Sequence, residues 1–255
     1  DSINVTIDRY DQYLELATTP DDVYNIAENE KHAIYIGVEN GYPLGNDINL
    51  VDTFYNLGAR YITLCHTKNN DICDSSTDPD GPEFNGLSAF GEKVVRRMNE
   101  IGMMIDLSHA SDEAFYDVLG LTDSPVIASH SCARAICDNP RNLDDEMLHA
   151  LAENGGVIQM CILSAYVEDP EPFPERDSAK NAVYEKHGDY YELDQDGKEA
   201  FLTDWYAVDR EFPAKLADVK KVIDHIDHIV EVAGINHIGI GTDFDGGGAV
   251  EDCYD

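Results

Sequence analysis

The sequence predicts an α/β protein of the (β/α)8 barrel class, the TIM barrel, with about six of the eight strands in this chain. Short apolar runs alternate with helical patterns along the chain, which implies parallel strands joined by right-handed crossovers. Five of these runs end at a residue that can bind a metal ion or act as a catalyst: Glu39, His66, His109, His130 and Asp243. Because the carboxyl ends of barrel strands form one rim, we expect these side chains to meet there.

A doubly wound open sheet is the alternative architecture for alternating strands and helices. Neither a G-x-G-x-x-G pattern nor a P-loop occurs in the sequence, so nothing supports the nucleotide site typical of such sheets. With 255 residues, 43% of them hydrophobic, the chain can build one sizeable core. We therefore expect a single domain over residues 1–255, with an acidic insertion or lid at about residues 167–212.

The composition is strongly acidic, since 51 Asp and Glu face only 17 Lys and Arg, for a formal charge of −34. Such a surface repels phosphate backbones, which excludes nucleic acid as a partner, and it attracts cations. None of the six cysteines forms a C-x-x-C pair, which argues against a thiolate zinc site. We expect Cys65, Cys132 and Cys161 to serve as small buried hydrophobes in or beside strands.

In the first part of the chain the elements follow from apolar runs and capping residues. Pro20 suits the first turn of a short helix, and Ser88 can cap a later helix whose apolar stripe ends before Gly102. Between the second strand and that helix lies a long polar loop at residues 67–87, of a length that is more often functional than idle. The predicted helices are 20–27, 50–57 and 88–101, and the predicted strands are 32–38 and 61–65.

The central stretch, residues 103–131, is a strand–helix–strand unit. Its two apolar runs, 103–107 and 126–128, each stop at a Ser-His pair, and the second residues of these pairs are His109 and His130. Ser111 can cap the helix between them, and Gly120 can close it. Both histidines are therefore predicted at the carboxyl ends of neighbouring strands.

The last part of the chain continues the alternation, with helices at 143–152 and 216–233 and strands at 157–163 and 238–242. Residues 167–212 are acidic and aromatic without a clear period, so we expect mixed structure there. His225 and His228 stand three apart in the long helix, beside acidic residues, and we expect both on its solvated face rather than in a metal site.

Glutamate, histidine and aspartate side chains without thiolates suit Zn²⁺, Mn²⁺ or Fe²⁺, with an open position for water. This chemistry is typical of a hydrolytic centre. His66 can stabilise a developing oxyanion, and Asp243 can act as general base and acid. Arg141 can hold a substrate carboxylate through two parallel hydrogen bonds, with Arg134 as the competing candidate.

Five short runs carry a resemblance to a known family: IGVE at 36–39, YITLCH at 61–66, IDLSH at 105–109, VIASH at 126–130 and GIGTDFDG at 239–246. In this order they resemble the membrane (renal) dipeptidase family of the metal-dependent amidohydrolase superfamily. The resemblance extends from about residue 19 to residue 246, and the runs at 69–75 and 224–229 are closer to bacterial members.

The resemblance implies a zinc-dependent dipeptidase with two zinc ions. It makes Glu39 the bridging ligand and His109 and His130 the ligands of the second zinc. It implies that His66 contacts the carbonyl group of the substrate and that Arg141 holds its terminal carboxylate. It also implies that Asp243 contacts the amino group of the substrate and transfers the proton. The implied partner is a dipeptide, and a homodimer is left open.

One feature departs from the family pattern. No His-x-Asp pair precedes Glu39, although that pair completes the first zinc site in the family, so we expect an internal segment of a longer protein. A related amidohydrolase acting on lactams or N-acyl amino acids, and a catalytically silent metal-binding homologue, stay open as alternatives. No apolar run reaches transmembrane length, so we expect a soluble chain, with the bacterial cytoplasm and export both open.

Overall fold

The structure, a computed structural model, describes residues 2–254. Its centre is a curled sheet of six parallel strands, in which each strand pairs with the next one along the chain. This half-barrel confirms the predicted fold class. The strands are β3 (Ile36–Val38), β4 (Ala59–Thr63), β5 (Met104–Asp106), β6 (Ile127–Ser131), β7 (Val157–Cys161) and β8 (Ile238–Gly241).

Before this sheet lies a separate pair of parallel strands, β1 (Leu14–Leu16) and β2 (His32–Ile34). The single strand predicted over residues 32–38 is therefore divided, because its first half pairs with β1 and its second half, β3, pairs with β4. Tyr35 stands at the division, where its hydroxyl donates to Thr19 O at 2.5 Å. The prediction missed β1 since three residues in a polar segment give no pattern to read.

Helices cover the sheet, and their N-terminal caps follow the predicted chemistry. Ser88 accepts a hydrogen bond from Gly91 N, and Ser111 accepts one from Ala114 N. Gly120 does not close its helix, because the helix continues to Leu121. The helices are α1 (Ser2–Arg9), α2 (Pro20–Glu28), α3 (Asn49–Asn56), α4 (Ala89–Ile101), α5 (Asp112–Leu121), α6 (Asp145–Glu153), α7 (Ser164–Val167), α8 (Pro174–His187), α9 (Gln195–Glu211) and α10 (Val219–Ala233), with 3-10 turns at Tyr42–Leu44, Tyr190–Glu192 and Ile235–His237.

The hydrophobic core lies between the sheet and helices α4, α5 and α6. Val94 and Met98 of α4, Phe115 of α5 and Leu148 of α6 are fully buried in this core, which confirms the apolar stripe predicted for α4. The three cysteines expected in the core are also fully buried. Among the helices of the described residues, none has the length and apolar character needed to cross a bilayer.

Most of the segment at residues 167–212 forms a helical hairpin, α8 and α9, rather than mixed structure. An aromatic cluster joins the two helices, with Phe201 stacked on Trp205 and Tyr184 edge-on to both. Lys180 is buried beside them, with its Nζ 2.6 Å from Asp209 Oδ1 and 3.6 Å above the Trp205 ring. Contacts between α8 and α9, rather than an apolar stripe on a single helix, hold this hairpin together. The role of the hairpin as a lid stays a prediction.

His225 of α10 is fully buried, so its predicted place on a solvated face is wrong. Its Nδ1 accepts a hydrogen bond from Ala133 N at 3.1 Å, and its Nε2 donates to Val167 O at 2.9 Å. The imidazole thus joins the loop after β6 to the segment after β7. His228 is partly exposed and lies 2.7 Å from Asp145 Oδ1.

Candidate metal centre and substrate site

Three strands bring possible metal ligands to one point on the rim. Glu39 directly follows β3, His109 follows β5, and His130 is the penultimate residue of β6. Glu39 Oε1 lies 3.5 Å from His109 Nε2 and 3.3 Å from His130 Nε2, and the two Nε2 atoms are 2.9 Å apart. The structure thus brings together the three side chains that the sequence predicts as ligands.

The backbone around these side chains is unusual. His109 has a φ of 72°, Asn40 beside Glu39 also has 72°, and Asp243 has 57°. Non-glycine residues rarely adopt positive φ, and such conformations are concentrated at functional sites. His109 and Asp243 thus depart from regular strand conformation at the rim where their side chains lie.

The protonation states suit a divalent cation. Burial lowers the pKa of His109 to about 3 and lowers that of His130 from its ordinary value. The contact with His109 lowers the pKa of Glu39 to about 2. Near neutral pH the group therefore offers one carboxylate and neutral imidazoles within 4.8 Å of one another. This donor set fits Zn²⁺, Mn²⁺ or Fe²⁺, which take imidazole nitrogen and carboxylate oxygen.

Glu39, His109 and His130 form the ligand group. His66 lies beside this group but is not part of it. Its Nε2 is 4.0 Å from Glu39 Oε1, and its ring centroid is 4.2 Å from that of His109. The His66 side chain is 38% exposed, whereas that of His109 is 5% exposed. His66 thus lies at the solvent-exposed edge of the ligand group.

Asp243 faces the ligand group from the loop that follows β8. It lines a cavity of about 230 Å³ together with Glu39, His130, Tyr61 and Gln159. Burial raises the pKa of the Asp243 carboxyl above its ordinary value, so it keeps a proton more readily than an exposed aspartate does. A carboxyl with this property can exchange a proton with a substrate in the cavity.

The structure separates the two arginines that the sequence leaves in competition. Arg134 is engaged by Asp112, with hydrogen bonds of 2.6 and 2.7 Å to the two carboxylate oxygens. Arg141 is 3% exposed, and its Nη2 donates to His130 O at 3.2 Å. Its guanidinium lies 5.2 Å over the Tyr166 ring, and within residues 2–254 no carboxylate forms an ion pair with it.

Sequence reasoning missed two polar residues below the ligand group. Asp106 is fully buried within β5, and Ser129 of β6 connects it to His130. The signal was an aspartate between Ile105 and Leu107, since an unpaired acid in a buried strand needs dedicated hydrogen-bond donors.

The profile of the membrane dipeptidase family, peptidase family M19, matches residues 1–255. This chain belongs to that family. Relatives in the dipeptidase family include dipeptidase verJ of Clonostachys rogersoniana, 34% identical over 246 residues, which are 96% of this chain and 52% of that protein. Dipeptidase 3 of Mus musculus is 37% identical over 238 residues, which are 92% of this chain and 39% of that protein. The resemblance predicted from five short runs is confirmed.

A solved structure from the dipeptidase family shares the fold. The crystal structure of the probable dipeptidase PvdM from Pseudomonas aeruginosa matches with a TM-score of 0.83 and 28% identity. The match covers 99% of this chain and 67% of that chain. The present chain spans about half, or less, of the length of the two curated dipeptidases named above.

Proposed function

We propose that this chain forms the catalytic rim of a zinc-dependent dipeptidase that hydrolyses the peptide bond of dipeptides. The observation that carries the proposal is the convergence of Glu39, His109 and His130 within 4.8 Å, beside a half-buried Asp243. The names of the relatives support the choice of dipeptides as substrates. An alternative substrate class within the same chemistry is a lactam or an N-acyl amino acid.

In this proposal Glu39 holds the ion through Oε1, and His109 and His130 hold it through Nε2. Zinc is the ion proposed because imidazole and carboxylate ligands without thiolates are typical of its catalytic sites. When bound, the ion supplies polarisation of the scissile carbonyl and lowers the pKa of a water molecule.

The remaining residues bind and orient the dipeptide. Arg141 is proposed to hold its terminal carboxylate, since a buried guanidinium with no carboxylate partner among residues 2–254 is free to take one from a ligand. Stacking on Tyr166 and the bond to His130 O keep the guanidinium in one plane. His66 is proposed to contact the carbonyl oxygen as negative charge develops on it.

Asp243 is proposed to bind the amino group of the substrate, to accept a proton from the water that attacks the carbonyl carbon, and to pass that proton to the leaving nitrogen. Its raised pKa supports this role, because a general acid must still hold a proton when the carbon–nitrogen bond breaks. The cavity of about 230 Å³ beside it can admit the small amino-terminal part of a dipeptide.

The test combines metal content with a substrate panel. The purified protein is assayed for metal per chain and for hydrolysis of L,L- and L,D-dipeptides, β-lactams and N-acyl amino acids. We expect dipeptide hydrolysis that a chelator abolishes and zinc restores. If the protein hydrolyses only β-lactams or N-acyl amino acids, the proposed dipeptide substrate is wrong. If zinc-loaded protein hydrolyses none of the three substrate classes, it is a catalytically silent homologue.

A further inference from the structure

A buried carboxylate lies directly below the ligand group. Asp106 is fully buried, and within residues 2–254 no lysine or arginine forms an ion pair with it. Its Oδ1 accepts from Ser108 N at 3.1 Å and from Ser129 N at 2.9 Å. Its Oδ2 accepts from the hydroxyls of Thr63 and Ser129, both at 2.5 Å. Four donors thus stabilise a charge whose burial would otherwise be costly.

The Ser129 hydroxyl connects Asp106 to His130 through two hydrogen bonds. Ser129 Oγ has one proton, and the 2.5 Å contact shows that it goes to Asp106 Oδ2 rather than to Ser108 Oγ at 3.5 Å. Toward His130 Nδ1, which is 2.8 Å away, Ser129 Oγ therefore presents a lone pair. The proton of that hydrogen bond must then come from the imidazole, so Nδ1 is the protonated nitrogen.

The other nitrogen of the same ring faces the ligand group. His130 Nε2 lies 3.3 Å from Glu39 Oε1 and 2.9 Å from His109 Nε2. With the proton on Nδ1, Nε2 carries the lone pair that a metal ion requires. His130 N also donates to Ser108 Oγ at 2.9 Å, which fixes the backbone of the ligand.

We infer that Asp106 and Ser129 are positioning residues that hold His130 in the tautomer with the proton on Nδ1, so that Nε2 is ready to bind the metal. The inference rests on the metal site of the proposed function. It distinguishes the two histidines, because the buried Nδ1 of His109 has no hydrogen-bond partner among the described residues. Of the two histidines, His130 is thus the one whose ring is oriented by a hydrogen bond at Nδ1.

Outer hydrogen-bond partners of a metal-binding histidine usually contribute about 10–100-fold to metal affinity. Ser129→Ala removes the connection between Asp106 and His130, so the dissociation constant for Zn²⁺ should rise by about that factor. Thr63→Val is the matched control, because Thr63 donates to the same Oδ2 at the same 2.5 Å but is not hydrogen-bonded to His130 within residues 2–254. Ser129→Thr keeps the hydroxyl and should restore affinity.

The experiment measures zinc affinity by competition with a chromophoric chelator, and the visible spectrum of the Co²⁺-loaded protein. Nitrogen-15 NMR of histidine-labelled, metal-free wild-type protein reports the tautomer directly and requires no variant to fold. We expect the Nδ1-protonated form for His130, a mixture of tautomers in Ser129→Ala, and affinity within about twofold of wild type in Thr63→Val.

Either of two results would overturn the inference: a proton on Nε2 of His130 in the wild-type protein, or equal loss of affinity in Ser129→Ala and Thr63→Val. The second would mean that Asp106 only stabilises the strands around it. These readouts do not depend on turnover. If the zinc-loaded protein hydrolyses no dipeptide, the proposed function fails while the tautomer and affinity results still decide this point.

Discussion

Arg134 and Asp112 form a bidentate ion pair, with Nη1 2.6 Å from Oδ2 and Nη2 2.7 Å from Oδ1. Because Asp112 opens α5, the pair ties the loop after β6 to the start of that helix. The same pair leaves Arg134 unavailable to a substrate. Arg141, seven positions further on, has no such ion pair among residues 2–254, which supports its proposed role at the substrate carboxylate.

Arg141→Ala should raise the KM for dipeptides by about 10–100-fold with a smaller change in kcat, since a hydrogen bond to a charged group contributes about 1.5–3 kcal/mol. Steady-state kinetics on a dipeptide and on its C-terminal amide, which has no carboxylate, measure the effect. The KM for the amide should rise far less than the KM for the dipeptide.

Arg134→Ala is the matched control for this experiment. It removes the ion pair with Asp112, which is partly exposed, so the melting temperature should fall while the KM changes little. Two results would contradict the assignment of Arg141 to the substrate carboxylate. One is an equal rise in KM for the dipeptide and the amide in Arg141→Ala, and the other is a raised KM in Arg134→Ala alone.

His109→Ala and His130→Ala should each lower the metal bound per chain and reduce kcat/KM by several orders of magnitude. The reason is that each removes one of three donor atoms that meet within 4.8 Å. Elemental analysis of protein purified without added metal gives the first quantity. His149→Ala, an exposed histidine of α6, is the control and should change neither. Full metal content and activity in both ligand variants would refute the site.

The parts of the fold that follow from local chemistry were predictable from the sequence. Ser88 and Ser111 cap their helices as expected, because the cap bond joins residues three apart. The half-barrel followed from apolar runs that end in Glu39, His109 and His130, since parallel strands share one edge.

The parts that depend on distant contacts were not predictable in the same way. The division of residues 32–38 into β2 and β3 depends on pairing with Leu14–Leu16, which no local pattern reveals. The choice between the two arginines depends on where Asp112 lies in space. His225 looked solvated because its sequence neighbours are acidic, yet its partners come from Ala133 and Val167.

The burial of His225 makes its contribution to stability depend on pH. Burial lowers its pKa, so the unfolded chain, with an ordinary value of about 6.5, binds a proton at a higher pH than the folded chain does. Its contribution is therefore complete above that value and declines as the pH falls through it. His225→Gln should destabilise the protein at pH 7.5, and the difference from wild type should shrink toward about pH 5.

Urea unfolding at a series of pH values measures this difference directly. His149→Gln serves as the control, because this side chain is exposed and its replacement should change the free energy of unfolding little. A His225→Gln deficit of constant size at all pH values would show that packing alone, not protonation, explains the effect.

The six thiols should react in two classes. Cys253 is partly exposed, whereas the other five are buried, and burial raises the pKa of Cys137 to about 12. Because the thiolate is the reactive form, the folded protein should release one equivalent of chromophore rapidly from a disulfide reagent, and six after denaturation. Cys253→Ser should abolish the rapid phase, and any larger rapid phase would contradict the burial of the remaining thiols.

Two helical glycines should respond in opposite directions to alanine. Gly91 of α4 packs against the loop before it, so that an added Cβ would lie 2.1 Å from Ile72 O. Gly91→Ala should destabilise the protein by about 1–3 kcal/mol, since the backbone must move. Gly120 of α5 is exposed with nothing within 4 Å of an added Cβ, so Gly120→Ala should stabilise by about 0.5–1 kcal/mol. Thermal unfolding of both variants measures the two effects. A higher melting temperature in Gly91→Ala would contradict this packing of α4, and a lower one in Gly120→Ala would contradict the free space beside α5.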